Sequence, residues 1–252
     1  MQRISFLGCP IDTLDYNGVL NWMAERIISK TPSYISVANA NKLWMIARNT
    51  RLEKIIKSAD LIVPEWAVYA GARILGFPVT SCVYGVVLAK MIIPWAHKNG
   101  YSIYFLGAKP EVVEQLVNKL FNDYPGLQIA GYHNGYLNQD ESRKVIQEIQ
   151  QVKPDVILVA MGSPRQEYWI NEAINEICVS VSIGVGGSFD VLAGIKKDSP
   201  EWARGHGLEW LYRLSQDPKA YWKRYLVVNS WIIWKVFQEY LNKKFNKARY
   251  SL

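Results

Sequence analysis

The chain has 252 residues, half of them hydrophobic, and a formal charge of +7. That is enough apolar material for a sizeable core and excludes a disordered chain. The cysteines at 9, 82 and 178 form no CxxC pair, so a disulfide framework is excluded and the thiols read as those of a reduced, cytosolic protein.

The charge is unevenly placed. Residues 219–252 hold eight Lys/Arg against the single acid Glu239, which leaves residues 1–218 neutral. Residues 1–6 include Arg3 and are too short to read as a secretion signal. No apolar run reaches the roughly 18–20 residues that span a bilayer.

In chain order, residues 4–8 are a short apolar start, and Asp15-Tyr16 leads into a helix through Lys30. Residues 34–38 read as a strand and residues 41–57 as one helix. Asn39 and Asn41 mark the junction, where Asn either caps the helix or meets a ligand. Residues 61–63 form a strand closed by Pro64-Glu65-Trp66, and a helix runs on to about Leu75. Glu65 reads either as a helix-start acid favoured by the dipole or as a general base in a crevice. Val83-Tyr84-Gly85 opens a helix through Lys98.

Residues 102–106, the turn Gly107-Ala108-Lys109-Pro110 and residues 111–124 make a strand–turn–helix unit. Gly107 and Lys109 are placed to meet a phosphate or ribose. Residues 127–132 are a strand, and Tyr136 after it suits either the core rim or stacking on a base. A helix follows over 139–151. Strands alternating with helices predict βαβ units and a mainly parallel sheet.

Residues 156–190 are the centre of the pattern. Residues 156–161 are a buried-type strand broken by Gly162-Ser163-Pro164. Residues 165–175 are helical, with polar Gln166 and Glu167 at the start. Residues 178–183 are a second apolar run, ended by Gly184-Val185-Gly186-Gly187. Two glycine turns after adjacent parallel strands lie where open α/β sheets bind ligands. Glycine also lets backbone approach a phosphate, and a helix start supplies N–H groups.

After Asp190, residues 207–216 are helical, Asp217-Pro218 breaks the chain, and a helix covers 219–244. Trp and Tyr flanked by Lys/Arg suit a membrane interface, and equally a helix packed on the core. The histidines at 97, 133 and 206 show no metal spacing and there is no DxD motif, so no metal site and no cofactor are expected.

MGSPRQEYWI and GVGGSFDVLAG, followed by LEWLYRL and KRYLVVN, resemble the WecG/TagA/CpsF family of bacterial glycosyltransferases over about residues 6–229. The resemblance implies a Rossmann-like, mainly parallel sheet with helices on both faces (residues 1–195). It also implies a helical, membrane-binding appendage (residues 196–252). The implied activity is inverting transfer from a UDP-sugar to a polyprenyl-diphosphate-linked sugar at the inner face of the cell membrane. Glu65 would be the base, with Asn39 and Gln166 beside it. Gly107, Lys109, Tyr136, Gly162, Gly186, Gly187 and Asp190 would hold the nucleotide sugar. Arg213, Arg224 and Lys219 would meet the acceptor or diphosphate. Family members also self-associate when soluble.

Three positions depart from the family pattern: Val37 for a hydroxyl residue, Glu65-Trp66 for Asp-Gly, and Cys82 for Arg. Two other readings stand beside the enzyme. A UDP-sugar-binding regulator would draw on the Glu65-Trp66 and Cys82 departures. A nucleic-acid-binding protein would draw on the basic tail, but would need a basic face on the neutral remainder as well.

Overall fold

The structure, a computed structural model, describes residues 2–249. Of the tail's basic residues, Lys247 and Arg249 have side chains outside the described set. The chain opens with an antiparallel hairpin, β1 (Arg3–Phe6) and β2 (Cys9–Asp12). The sequence reading shows only an apolar start here. The hairpin is pinned by Asp12, fully buried, whose carboxylate takes two 2.7 Å bonds from Arg3 and one of 2.8 Å from the Ile62 N–H.

Helix α1 (Tyr16–Ser29) is capped by Asp15, and β3 (Tyr34–Ala38) follows. The single helix expected over 41–57 is two, α2 (Ala40–Ile46) and α3 (Thr50–Lys57). Asn49 is the reason: its side chain accepts from the Leu52 N–H at 3.0 Å and starts a new helix, as Asn caps do. Then come β4 (Leu61–Pro64), α4 (Trp66–Ile74), α5 (Gly85–Asn99), β5 (Ile103–Gly107), α6 (Pro110–Asp123), β6 (Ile129–His133) and α7 (Gln139–Val152). The central stretch gives β7 (Val156–Ala160), α8 (Arg165–Ile177), β8 (Val181–Gly184) and α9 (Ser188–Leu192). Cys178 is not in the strand as expected. It ends α8 in the left-handed region, φ 51°. The chain closes with α10 (Glu201–Gly205), α11 (Glu209–Gln216) and α12 (Pro218–Arg249).

The six long-range strands form one parallel sheet in the order β4-β3-β8-β7-β5-β6. Connections that step toward β4 carry α2, α3, α7 and α8 on one face. Those that step toward β6 carry α5 and α6 on the other. Right-handed crossovers require this division. Side chains of β5 and β7 alternate between the two cores: Phe105 and Leu158 face one, Tyr104 and Ile157 the other. The sheet is therefore doubly covered, as expected. Helix α12 lays Val228, Ile232 and Val236, one residue per turn, into the α2/α4 core. None of the described helices is long and apolar enough to cross a membrane.

Candidate active site

The carboxyl ends of β3, β4, β7 and β8 open into one cavity of about 820 Å³, roofed by α11 and the first half of α12. Its wall includes Asn39, Glu65, Gly162, Gln166, Gly186 and Gly187 from the sheet edge, and Arg213 and Arg224 from the roof. Eight of the predicted site residues thus converge from distant segments.

Glu65 sits at the start of α4 but does not cap it. Its Oε1 accepts from the Gly85 N–H at the start of α5 at 3.5 Å, and Asn39 stands in the same cavity wall. Burial, then the nearby charge of Glu209, push its pKa up to about 7, against the pull of Arg213. A carboxyl that titrates near neutrality is suited to taking a proton. Of the two readings of Asn39 the structure shows the cap: its side chain accepts from the Lys42 N–H at 3.0 Å, and the residue also lines the cavity.

The glycine turns differ from each other. A side chain at Gly162, Gly186 or Gly187 would meet nothing within 4 Å, so those turns are open to a ligand. A Cβ at Gly107 (φ 139°) would lie 2.5 Å from the Ala160 backbone, so that glycine serves the close approach of β5 to β7. Gly107, Lys109, Tyr136, Asp190 and Lys219 are not in the cavity wall. Tyr136 is exposed beyond β6 with the Arg165 guanidinium 5.6 Å over its ring. Lys109 is exposed and 3.9 Å from Glu111. Asp190 pairs with Lys196 at 3.4 Å. Lys219 is exposed at the start of α12. Tyr136, Gly107 and Lys109 do share the carboxyl edge of the sheet with the cavity, farther toward β6.

Gln166 is buried and spends its amide on the protein. Its Nε2 donates to Glu167 at 2.9 Å and its Oε1 accepts from the Gly186 N–H at 3.0 Å. It shapes the turn. Arg213 is held by Glu209, which accepts from its Nε at 2.8 Å, and Arg224 lies over the rings of Tyr221 and Tyr225. Trp66 lines the cavity next to Glu65, with Gly207 (φ 71°) so close that a Cβ there would be 2.4 Å from the indole. Cys82 is half-buried, its thiol pKa raised by burial and then by Glu65.

Sequence reasoning missed Glu209 and Lys42. The first had a signal, the i,i+4 spacing to Arg213. Lys42 had none, being a lone cation in the apolar run of α2 whose partner Glu167 is 125 positions away. No group of three His, Cys, Asp or Glu able to hold a metal ion is gathered among the described residues.

The family model of the Glycosyl transferase WecG/TagA/CpsF family matches residues 4–246. The chain belongs to this family. It is therefore a glycosyltransferase, in line with the cavity's carboxylate, glycine turns and arginines. Among curated relatives, a Bacillus subtilis protein is 31% identical over 97% of this chain and 94% of its own length. A Bacillus spizizenii protein is 32% identical over 79% of this chain and 77% of its own. One from Staphylococcus aureus is 31% identical over 88% and 86%. All three are named N-acetylglucosaminyldiphosphoundecaprenol N-acetyl-beta-D-mannosaminyltransferase.

Proposed function

We propose that this glycosyltransferase moves an N-acetylmannosaminyl group from UDP to a polyprenyl-diphosphate-linked N-acetylglucosamine, with inversion and with Glu65 as general base. The observation that carries the reading is the place of Glu65. It stands at the head of the cavity, titrates near neutrality, and faces a chamber that also holds the open glycine turns and two arginines. The relatives' shared name supplies the sugar and the acceptor.

In the reaction Glu65 takes the proton of an acceptor hydroxyl as its oxygen attacks the anomeric carbon. The bond from that carbon to the diphosphate breaks, and UDP leaves with the electron pair. Charge developing on the diphosphate is met by Arg213, Arg224 and the Gly187 N–H, donors of the kind that stabilise such a leaving group. These groups do the work with no metal ion. The nucleotide extends along the sheet edge toward Tyr136. The acceptor's lipid stays in the membrane, on which the enzyme sits by the outer face of α12. Leu226 and Ile233, 63% and 68% exposed, share one face of α12 with Lys223 close by, at the rim of the cavity. An aromatic, apolar helix edged with cations binds an anionic surface.

The test is sugar transfer to a short-chain prenyl-diphosphate-GlcNAc, with a panel of UDP-sugars, with and without EDTA. Turnover of UDP-ManNAc that survives EDTA and is lost in Glu65→Gln is the expected result. Full activity in Glu65→Gln would remove Glu65 as base. Turnover of a different UDP-sugar alone would overturn the donor, and loss in EDTA the metal-free chemistry.

A further inference from the structure

At the cavity floor, with Lys42 in its lining, lies an ion pair of almost wholly enclosed side chains that the transfer reaction does not use. Lys42 Nζ is 3.0 Å from Glu167 Oε1. The same oxygen also accepts from Ser163 Oγ and Gln166 Nε2, each at 2.9 Å. Lys42 further donates to Ser36 Oγ at 3.0 Å. The other carboxylate oxygen, Oε2, is buried with no partner, as are Tyr34 Oη and Ser182 Oγ of the adjoining β3/β8 strand pair.

This is a poor arrangement for stability alone. Buried ion pairs seldom outperform well-packed apolar residues of the same size. A bare buried carboxylate oxygen and two unpaired hydroxyls make it worse. The links explain why such a cluster would be kept. Lys42 stands in the first turn of α2, where its N–H closes the cap made by Asn39, which lines the cavity as Glu65 does. Glu167 stands in the first turn of α8, where it holds Gln166, and Gln166 holds the Gly186 N–H. Gly184 carries no Cβ because Gln166 would be 2.5 Å from it. One ion pair thus joins the start of α2, after β3, to the glycine turn after β8.

We propose that the Lys42–Glu167 pair is a positioning device. It locks α2 against α8 and, through Gln166, sets the Gly184–Gly187 turn on which the donor's diphosphate rests. The inference rests on the donor site proposed above. Misplacing such a turn by about 1 Å weakens a fitted ligand on the order of tenfold or more.

The experiment compares wild type, Glu167→Asp and the double variant Lys42→Met/Glu167→Leu by thermal melting, by calorimetric titration with UDP, and by donor and acceptor KM. The double variant should melt at or above the wild-type temperature. It should nevertheless bind UDP about tenfold more weakly and raise the donor KM, with the acceptor KM unchanged. Glu167→Asp keeps the charge on a shorter arm and should lose UDP affinity while folded. If a folded double variant, or Glu167→Asp where the double does not fold, binds UDP as tightly as wild type, the pair is only structural and the proposal fails. Wild type that binds no UDP would instead remove the donor site, and the inference with it.

Discussion

Replacing Glu65 by Gln keeps shape and volume while removing the carboxylate that faces the Gly85 N–H at the start of α5. A positioned general base contributes about 10²–10⁴-fold, so kcat should fall by that factor with little change in donor KM. The pH profile tests the cause. With a pKa of about 7, roughly a tenth of Glu65 is ionised at pH 6 and nine-tenths at pH 8. The wild-type kcat/KM should therefore rise about tenfold per pH unit below neutrality and level off above it. Glu209 raises this pKa and Arg213 lowers it. Hence Glu209→Gln should move the limb to lower pH, and Arg213→Gln should move it to higher pH. Opposite movements from two neighbours four residues apart are hard to obtain from misfolding.

Stability gives an independent sign. Glu65 has a folded pKa above its ordinary 4.5, so the folded state prefers the protonated form. Its contribution is most favourable below pH 4.5 and is lost as pH rises toward 7. At about 1.4 kcal/mol per tenfold change in proton affinity, keeping it ionised costs up to about 3 kcal/mol, less what cavity water recovers. Glu65→Gln should therefore melt higher than wild type at pH 8 and equally near pH 4. A variant that is inactive but no more stable at pH 8 would refute the account of Glu65 as a desolvated base. So would a wild-type profile flat from pH 5.5 to 8.

Five further outcomes are expected. Gly107→Ala should cost at least about 2 kcal/mol in denaturant melts, because it places a Cβ 2.5 Å from the Ala160 backbone at φ 139°. Gly187→Ala, with φ −80° and open space, should leave the melt unchanged but weaken UDP binding in calorimetry. Gly207→Ala should destabilise through its clash with Trp66, and adding Trp66→Gly should relieve part of the loss, a non-additive pair measurable by melting. Opening the space beside Glu65 with Trp66→Gly should also change the acceptor KM more than the donor KM. Leu226→Glu with Ile233→Glu should abolish sedimentation with vesicles containing anionic lipid, while Lys90→Gln, remote on α5 and paired to Asp198, should not.

Much of this protein is written locally. The apolar runs at β3, β5 and β7, the helices between them and the glycine breaks at 162 and 184–187 determine a doubly covered parallel sheet, because each signal is short-range. The motifs that carry the family resemblance are equally local, and they led to Glu65, Asn39 and the open glycines. Other features were settled only in three dimensions. The split between α2 and α3 needed the Asn49 cap to win over a continuous apolar pattern. Gly107 looked the same as Gly187 until the distance to Ala160 distinguished packing from an open turn. Gln166, a site residue by motif, is fully engaged in holding Gly186. The Lys42–Glu167 pair and the pressure of Glu209 on Glu65 join residues more than a hundred positions apart. Charge and hydrogen-bond geometry act through space. Sequence fixes which groups exist, while their effect on one another depends on distances that only the folded sheet and its roof create.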